Sequence, residues 1–423
     1  MDRSDLERTE ADLFFGLGRL CFYVGCLLIP MPAVRVALPI PLSDVFFCAA
    51  AGIVLLSGVR TQVRVSPGMV AASLFAVVGG FLLALLNYDP GAELNQAARI
   101  VFVLGLWPLI ALYLIRTSAE LVRAPTAFVV GGMLSALAGL AELAGVAVPF
   151  APSAAEVGGQ PARQLGLNLH PNGQGGTLAV AIAIAAAFLI HGQGRRFAVV
   201  ATVVLAAGVL LSGSITGTIM AILGLFCVVA RAPRPASRML KLAVVIAPLA
   251  YVVARLQSAD VSTPFQRFSA ASGETGTSTF GLRVLTIRYA WQQILEHPLR
   301  GVGLTTAEGG TYNGVTQAHN MEVIAWFQGG PLVLVAVLVA VVTAFRACTP
   351  RTGTPWGEAV FAAAVTAFAF AQTGPSLVDR YVWFPAVLAV VLSRLAVSAP
   401  SPTSPTRRVR TGERRAAPIT GAA

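Results

Sequence analysis

Charged residues are scarce in this chain. Only 12% of its 423 residues are Asp, Glu, Lys or Arg, whereas hydrophobic residues make up 56%. A soluble domain carries about 25% charged residues, so the composition excludes an ordinary soluble protein. The sequence instead predicts an all-α, polytopic integral membrane protein, with residues 1–398 as a single membrane domain.

Lysine is almost missing, since Lys241 is the only lysine among 30 basic residues. A net charge of +11 would suit a nucleic-acid partner if the cations shared one face. They are arginines scattered in pairs between apolar runs, a pattern typical of charges that set membrane topology. The lipid bilayer is therefore a predicted partner, and nucleic acid is not.

Metal-ligand patterns are also lacking. The chain has five cysteines and four histidines, and none of them forms a Cys-x-x-Cys motif or a Cys/His metal spacing. We predict neither a metal site nor a cofactor, and we expect the cysteines to act as small hydrophobic residues.

Long apolar runs are abundant. A spanning helix needs roughly 20 apolar residues, and about twelve segments approach that length. The predicted spans cover residues 13–30, 40–58, 68–87, 97–115, 126–147, 174–191, 197–212, 215–231, 239–255, 320–345, 356–374 and 381–398.

The arginines orient these spans. If the N-terminus is cytoplasmic, the cytoplasmic segments hold about 20 of the 30 basic residues, with at least two in each. Both termini are then cytoplasmic, and the polar stretch at about 256–318 becomes one large extracytoplasmic loop carrying short helices. The tail at 399–423, rich in Pro, Ser, Thr and Arg, is predicted to be a disordered basic cytoplasmic extension.

The outer loop contains a helical pattern between residues 280 and 304. Arg288, Trp291 and Leu295 fall on one face of a helix, which Pro298 ends. Two interpretations remain open here: an amphipathic helix on the outer membrane surface, and a packed lid helix with solvated arginines.

His319 and Asn320 stand where this polar loop meets the next apolar run. The positive end of a helix disfavours an imidazolium, so His319 is expected to be neutral. A neutral imidazole can act as a general base. The alternative is a structural histidine without chemistry.

Two further outer segments carry candidate residues. Arg163, His170 and Asn172 precede the sixth span, and Arg380 begins the last span beside Asp379. Arginine is always protonated and binds phosphate through two donors. A simple helix-entry turn explains the first segment equally well, and an interfacial Arg–Asp pair is often structural.

Taken in order, these motifs resemble the O-antigen ligase and O-antigen polymerase family of bacterial surface-polysaccharide enzymes. The resemblance covers about residues 160–395. It is carried by the His170-Pro171-Asn172 turn, Arg283 before a helix, the Pro298–Gly303 stretch, His319-Asn320, the Gly329-Gly330 turn and Arg380.

The chain departs from the family pattern at two positions. Ser214 is followed by Ile215, where the family commonly has an arginine that contacts phosphate. Gln328 precedes the glycine turn, where the family often has a glutamate. The resemblance therefore leaves open which residue replaces the missing arginine.

The resemblance implies glycosyl transfer on the outer face of a bacterial inner membrane. The donor would be a glycan on polyprenyl pyrophosphate, and the acceptor a hydroxyl of a glycan or glycolipid. His319 and Arg283 would be catalytic. The residues expected to bind pyrophosphate or glycan are Arg288, Arg380, Arg163, Asn320, His170 and Asn172.

Three other functions stay open. A repeat-unit polymerase of the same family uses the same donor with a different acceptor. A twelve-helix exporter of lipid-linked glycan is disfavoured because the sequence has no internal repeat and few intramembrane charges. A non-catalytic scaffold of an envelope complex would make Arg283 and His319 dispensable.

Overall fold

A computed structural model describes most of the chain. The predicted ninth span, much of the outer loop and the C-terminal tail lie outside the described residues. The described residues are 3–35, 40–57, 63–86, 89–152, 163–230, 237, 279–305, 311–313, 316–349, 354–374 and 377–397.

Helices account for the regular structure of the described residues, which contain no β-strand. A π-helical turn, Phe102–Leu106, separates α4 from α5. The helices are α1 Arg3–Leu28, α2 Leu42–Leu56, α3 Pro67–Leu86, α4 Pro90–Val101, α5 Trp107–Leu114, α6 Ser118–Leu143, α7 Pro171–Ile190, α8 Arg195–Leu211, α9 Ile215–Ala230, α10 Thr279–Glu296, α11 Met321–Cys348, α12 Pro355–Ala371 and α13 Arg380–Val397.

Several of these helices are built to cross a membrane. Five are long and apolar enough: Pro67–Leu86, Pro90–Leu114, Ser118–Leu143, Pro171–Ile190 and Met321–Cys348. Shorter apolar helices lie among them. The all-α, multi-pass part of the prediction is confirmed, whereas twelve spans and one large outer loop stay predictions.

The fourth span begins at Pro90, a full two turns before the predicted start at residue 97. Asp89 caps it, since its carboxylate accepts a hydrogen bond from the Ala92 backbone N–H at 3.0 Å. The first turns of this helix are polar, and hydropathy alone does not detect them. Arg99 consequently lies inside a spanning helix rather than at its end.

Helix α7 occupies the centre of the bundle. It packs against α6, α8, α9 and α12. Within its most apolar 18-residue stretch 83% is buried, compared with 33% in α11. Glycines allow α9 to approach α7 closely: a Cβ on Gly217 of α9 would stand 2.7 Å from the Gly175 backbone. The start of α7 is thereby held against the turn between α8 and α9.

Helix α11 is broken in its middle. Gly330 adopts φ +67° and ψ −175°, and Pro331 follows it, so the carbonyls before the break lack helical partners. The backbone N–H groups of Val302 and Gly303 donate to the carbonyls of Phe327 and Gln328, at 2.8 and 3.1 Å. The loop after α10 is thus inserted into the break.

A buried carboxylate fixes the same loop from the other side. Glu93 of α4 is only 2% exposed. It accepts hydrogen bonds from the backbone N–H of Leu304 at 2.8 Å and from the backbone N–H and hydroxyl of Thr305 at 3.3 and 3.2 Å. The loop therefore joins α4 and α10 to the first half of α11.

Candidate functional site

A cavity of about 360 Å³ lies among the α1–α2 connection, α4 and the starts of α7, α11 and α13. Four of the predicted site residues line it: His170, Asn172, His319 and Arg380. The helix starts that the sequence placed on the outer face are thus gathered around one space.

His319 stands at this cavity, just before α11. Burial lowers the pKa of its imidazole below the ordinary value, and the positive charge of Arg283 lowers that pKa further. The backbone of Gln317 acts in the opposite direction and is the smaller contribution. The expected neutral imidazole is supported, but the causes are burial and Arg283.

The ring of His319 has one enclosed nitrogen. Its Nδ1 is buried and has no hydrogen-bond partner. The Nε2 atom is then the nitrogen that a substrate in the cavity can reach.

Asn320 has a structural task at the same helix start. Its side-chain oxygen caps α11 by accepting the Val323 backbone N–H at 2.9 Å. Its amide nitrogen donates to the side chain of Gln372 at 2.8 Å, and Gln372 in turn donates to Glu322 at 2.8 Å. Asn320 therefore fixes the position of its neighbour His319 relative to α12.

His170 caps α7 in the same manner. Its Nδ1 accepts the backbone N–H of Asn172 at 3.1 Å. A neutral imidazole that accepts through Nδ1 carries its proton on Nε2, so His170 can donate a hydrogen bond but is unsuited to remove a proton. The two histidines of the cavity consequently have different chemical abilities.

Arg163 ties the α7 start to the α8–α9 turn. It is 6% exposed, and its guanidinium donates to the Asn172 side chain at 2.7 Å and to the Ser212 carbonyl at 2.9 Å. Arg283 of α10 reaches the same turn, because its Nη1 donates to the Thr216 hydroxyl at 3.3 Å. Two guanidinium groups thus meet at residues 212–216.

The turn itself is made by short polar side chains. Ser214 is fully buried; its hydroxyl accepts the Gly217 backbone N–H at 3.0 Å, and its carbonyl accepts the Thr218 hydroxyl at 3.0 Å. Such local bonding by Ser and Thr at membrane depth is expected from the sequence. Ile215 occupies the place where the family commonly has an arginine.

Arg380 is engaged by a distant carboxylate. Its guanidinium forms a bidentate ion pair with Asp44 of α2. Nε donates to Oδ1 at 2.9 Å, and Nη2 donates to Oδ2. Its Nη1 donates to the Val378 carbonyl at 2.8 Å. The sequence pointed to the adjacent Asp379 as partner, but the carboxylate that balances the charge of Arg380 lies 336 residues away.

Arg288 lies apart from the cavity. It is exposed on α10, on the face that also carries Trp291 at 48% and Leu295 at 68% exposure. Ala290 and Ile294 are buried on the side that packs against α11, and the ring of Trp291 meets that of Trp326 in α11 edge to face at 5.8 Å. The periodicity therefore identified the outer face of the helix and not a wall of the cavity.

The cavity residues that were not among the predicted site residues include three with hydrogen-bond donors: Arg35, Arg99 and Asn168. The two arginines do stand out in the sequence as outward cations that the topology does not require. No feature of the sequence singles out Asn168. Among the described residues, no group of three or more His, Cys, Asp or Glu side chains is arranged to hold a metal ion.

Comparison with known families gives a match, which covers part of this chain. Residues 200–338 match the family model described as O-antigen ligase. The matched part is about a third of the chain, and it includes Arg283, His319 and the break at Gly330. The resemblance to the O-antigen ligase and polymerase family is thereby confirmed over these residues. A search of curated proteins gives no match.

The O-antigen ligase match supports a role in glycan transfer at a membrane, with lipid-linked glycan and a glycan acceptor as the general partners. The apolar helices agree with it, because they make the chain a multi-pass membrane protein. Other walls of the cavity, built from the α1–α2 connection, α4, α7 and α13, lie outside the matched residues.

Proposed function

We propose that this protein transfers a glycan from a polyprenyl-pyrophosphate donor to an acceptor hydroxyl on the outer face of a bacterial inner membrane. The observation that carries the proposal is His319: a half-buried histidine with a lowered pKa beside Arg283, at a cavity wall within the matched residues. Lipid-linked substrates reach such a cavity from the surrounding bilayer.

In this mechanism the acceptor oxygen attacks the anomeric carbon of the donor sugar, and the bond from that carbon to the pyrophosphate oxygen breaks. The acceptor proton passes to His319 Nε2. The electron pair of the broken bond stays on the pyrophosphate. A lowered pKa keeps the unprotonated imidazole populated near neutral pH, as a general base requires.

The leaving pyrophosphate needs cations. Arg283 and Arg163 are the proposed contacts, since both guanidinium groups reach the 212–216 turn. Together they would supply the positive charge that the family commonly provides with an arginine after the serine of that turn. Arg380, Arg288, His170 and Asn172 remain proposed binding residues, and Asn320 acts by holding the start of α11.

The orientation of the chain belongs to the same proposal. Both termini are cytoplasmic, residues 1–398 form one membrane domain, and residues 399–423 form a basic cytoplasmic tail. The support is the distribution of arginines. Neither a metal ion nor a cofactor takes part, so a chelator leaves transfer unchanged.

The test is complementation of a strain that lacks this protein. Wild type restores mature surface glycan, whereas His319→Ala and Arg283→Ala do not, at equal membrane levels. Normal surface glycan from both variants would contradict the proposal. Accumulation of long lipid-linked polymer in the null strain identifies a ligase, and accumulation of single repeat units identifies a polymerase.

A further inference from the structure

Arg99 is an unusual residue for its position. It lies nine residues into the apolar helix Pro90–Leu114, about 14 Å along the axis at 1.5 Å per residue. It has no ion pair or side-chain hydrogen bond in the described part of the chain, and it lines the cavity. An unpaired charge inside a spanning helix is costly and generally has a function.

Arg35 faces the same cavity from the α1–α2 connection. Its only hydrogen bond to a described residue runs from Nε to the Pro32 carbonyl at 3.3 Å. Asp379 is the carboxylate that lines the cavity, while Asp44 balances Arg380. Among the described residues, neither guanidinium group forms an ion pair, so both can offer donors to a ligand in the cavity.

Asn168 adds a neutral donor to this wall. The residue is 4% exposed, and its side-chain oxygen accepts the backbone N–H of Leu169 at 2.9 Å and that of His170 at 3.3 Å. Its Nδ2, however, is buried without a hydrogen-bond partner. A buried amide donor left without an acceptor costs about 1–3 kcal/mol of stability in general, and a bound oxygen would remove that cost.

The helix next to Arg99 is also irregular. The π-helical turn Phe102–Leu106 begins three residues after it. Such turns rotate the following residues relative to the preceding ones and are frequent at functional sites. Here the turn separates the polar start of the helix, which reaches the cavity, from its apolar remainder.

We propose that Arg35, Arg99 and Asn168 form an oxyanion subsite that binds a phosphate group of a lipid-linked substrate. These residues are distinct from Arg283 and Arg163 at the 212–216 turn. Asn172, which accepts a hydrogen bond from Arg163, and His319 line the same cavity. The inference rests on the proposed function. It assigns cations outside the family-matched residues to one of the two substrates.

A phosphate group in this subsite has two sources. It belongs either to the pyrophosphate of the donor or to a phosphorylated glycolipid acceptor. Both present oxygens that accept from guanidinium groups in pairs.

Binding to the purified full-length protein in nanodiscs tests the subsite. Geranylgeranyl pyrophosphate represents the donor, diphosphoryl lipid A represents an acceptor, and inorganic pyrophosphate represents the charge alone. Arg99→Gln and Arg35→Gln are each expected to weaken the binding of at least one lipid probe about tenfold, because each variant loses one charge-assisted hydrogen bond. The probe that responds identifies the source.

Arg195→Gln is the matched control, because it removes an exposed arginine at the start of α8, far from the cavity. It should bind like wild type. Arg99→Gln should also melt at or above the wild-type temperature, since the residue has no partner to lose. A purely structural arginine would instead lower the melting temperature.

Equal binding of all probes by wild type, Arg99→Gln and Arg35→Gln overturns the subsite, as does an absence of binding to wild type. The failure of the proposed function looks different. In that case His319→Ala retains normal surface glycan, whatever the two arginine variants do to probe binding.

Discussion

Two histidines of one cavity differ in what their surroundings allow. His170 has its Nδ1 occupied as a helix cap, whereas His319 has a lowered pKa and an Nδ1 without a partner. The same residue type is therefore suited to donate a hydrogen bond in one place, whereas in the other it meets the requirements of the proposed base. The difference arises from hydrogen bonding, which a sequence motif does not specify.

Replacing His319 with glutamine tests the base directly. Glutamine retains a polar side chain but cannot take the proton, so transfer should fall by about 10²–10⁴-fold. The free energy of unfolding should be nearly unchanged, because Nδ1 of the ring has no hydrogen-bond partner that the substitution would remove. The measurement is the initial rate of labelled-glycan transfer in membranes with matched protein levels. A rate within about tenfold of wild type would contradict the assignment.

Arg283 should affect the pH dependence of transfer. Its positive charge lowers the pKa of His319, so Arg283→Gln raises that pKa and enlarges the protonated fraction at a given acidic pH. The acidic limb of the rate profile should then move to higher pH. Arg283→Lys retains the charge and should leave the limb in place. Identical acidic limbs in the pH–rate profiles of wild type and Arg283→Gln would show that the charge of Arg283 does not affect the pKa of the base.

At the scale of elements, the break in α11 is the organising feature. It opens two carbonyls that receive the loop after α10, and Glu93 of α4 receives the next residues of that loop. The helix that carries Arg283 and the half-helix that follows His319 are therefore joined by backbone hydrogen bonds. The Pro298–Gly303 stretch and the Gly329-Gly330 turn act as one unit.

Gly330→Ala should damage this unit. A Cβ at Gly330 would stand 2.6 Å from the Leu299 carbonyl oxygen, and φ +67° is unfavourable for alanine, so a stability loss of at least about 1–2 kcal/mol is expected. Transfer should fall as well, since the loop shifts together with α10. Thermal unfolding in detergent and the transfer rate are the two measurements.

Gly52→Ala in α2 is the control for that substitution, because its Cβ would meet no atom within 4 Å. It should be neutral or slightly stabilising, since alanine favours helix. If Gly330→Ala melts like Gly52→Ala, the break tolerates a side chain and the loop is not locked into it.

For the whole molecule, the prediction is an orientation. Asn313 lies in the loop before α11, and Gln193 lies between α7 and α8; both are exposed. In a cysteine-free background, Asn313→Cys should react with a membrane-impermeant maleimide on intact cells, and Gln193→Cys only after lysis. Labelling of residue 193 in intact cells would reverse the orientation and place the cavity on the cytoplasmic side.

Much of this architecture can be predicted from the sequence. Apolar runs correctly predicted the described spanning helices, although Pro90 and Ser118 begin two helices earlier than hydropathy indicates. Polar caps cause that error: the first turns are held by Asp89 and by Thr117. A hydropathy profile detects apolar side chains, so it does not detect polar first turns that are stabilised by a cap.

The candidate site was predictable only in part. Local motifs indicated His319, His170 and Asn172, which do share a cavity. The pairing of Arg380 with Asp44 was not predictable, because it depends on how distant helices pack. Asn168 was missed for the same reason, since a contact between remote segments leaves no local pattern in one sequence. Arg99 stood out only as an outward cation, and its place at the cavity depends on the same packing.

The ion pair between Asp44 and Arg380 has a consequence for biosynthesis. The chain is made from its N-terminus, so the second helix enters the membrane 336 residues before its partner exists. The carboxylate of Asp44 therefore has no Arg380 to pair with until α13 has been synthesised. A nascent chain that stops before Arg380 therefore lacks one wall of the cavity.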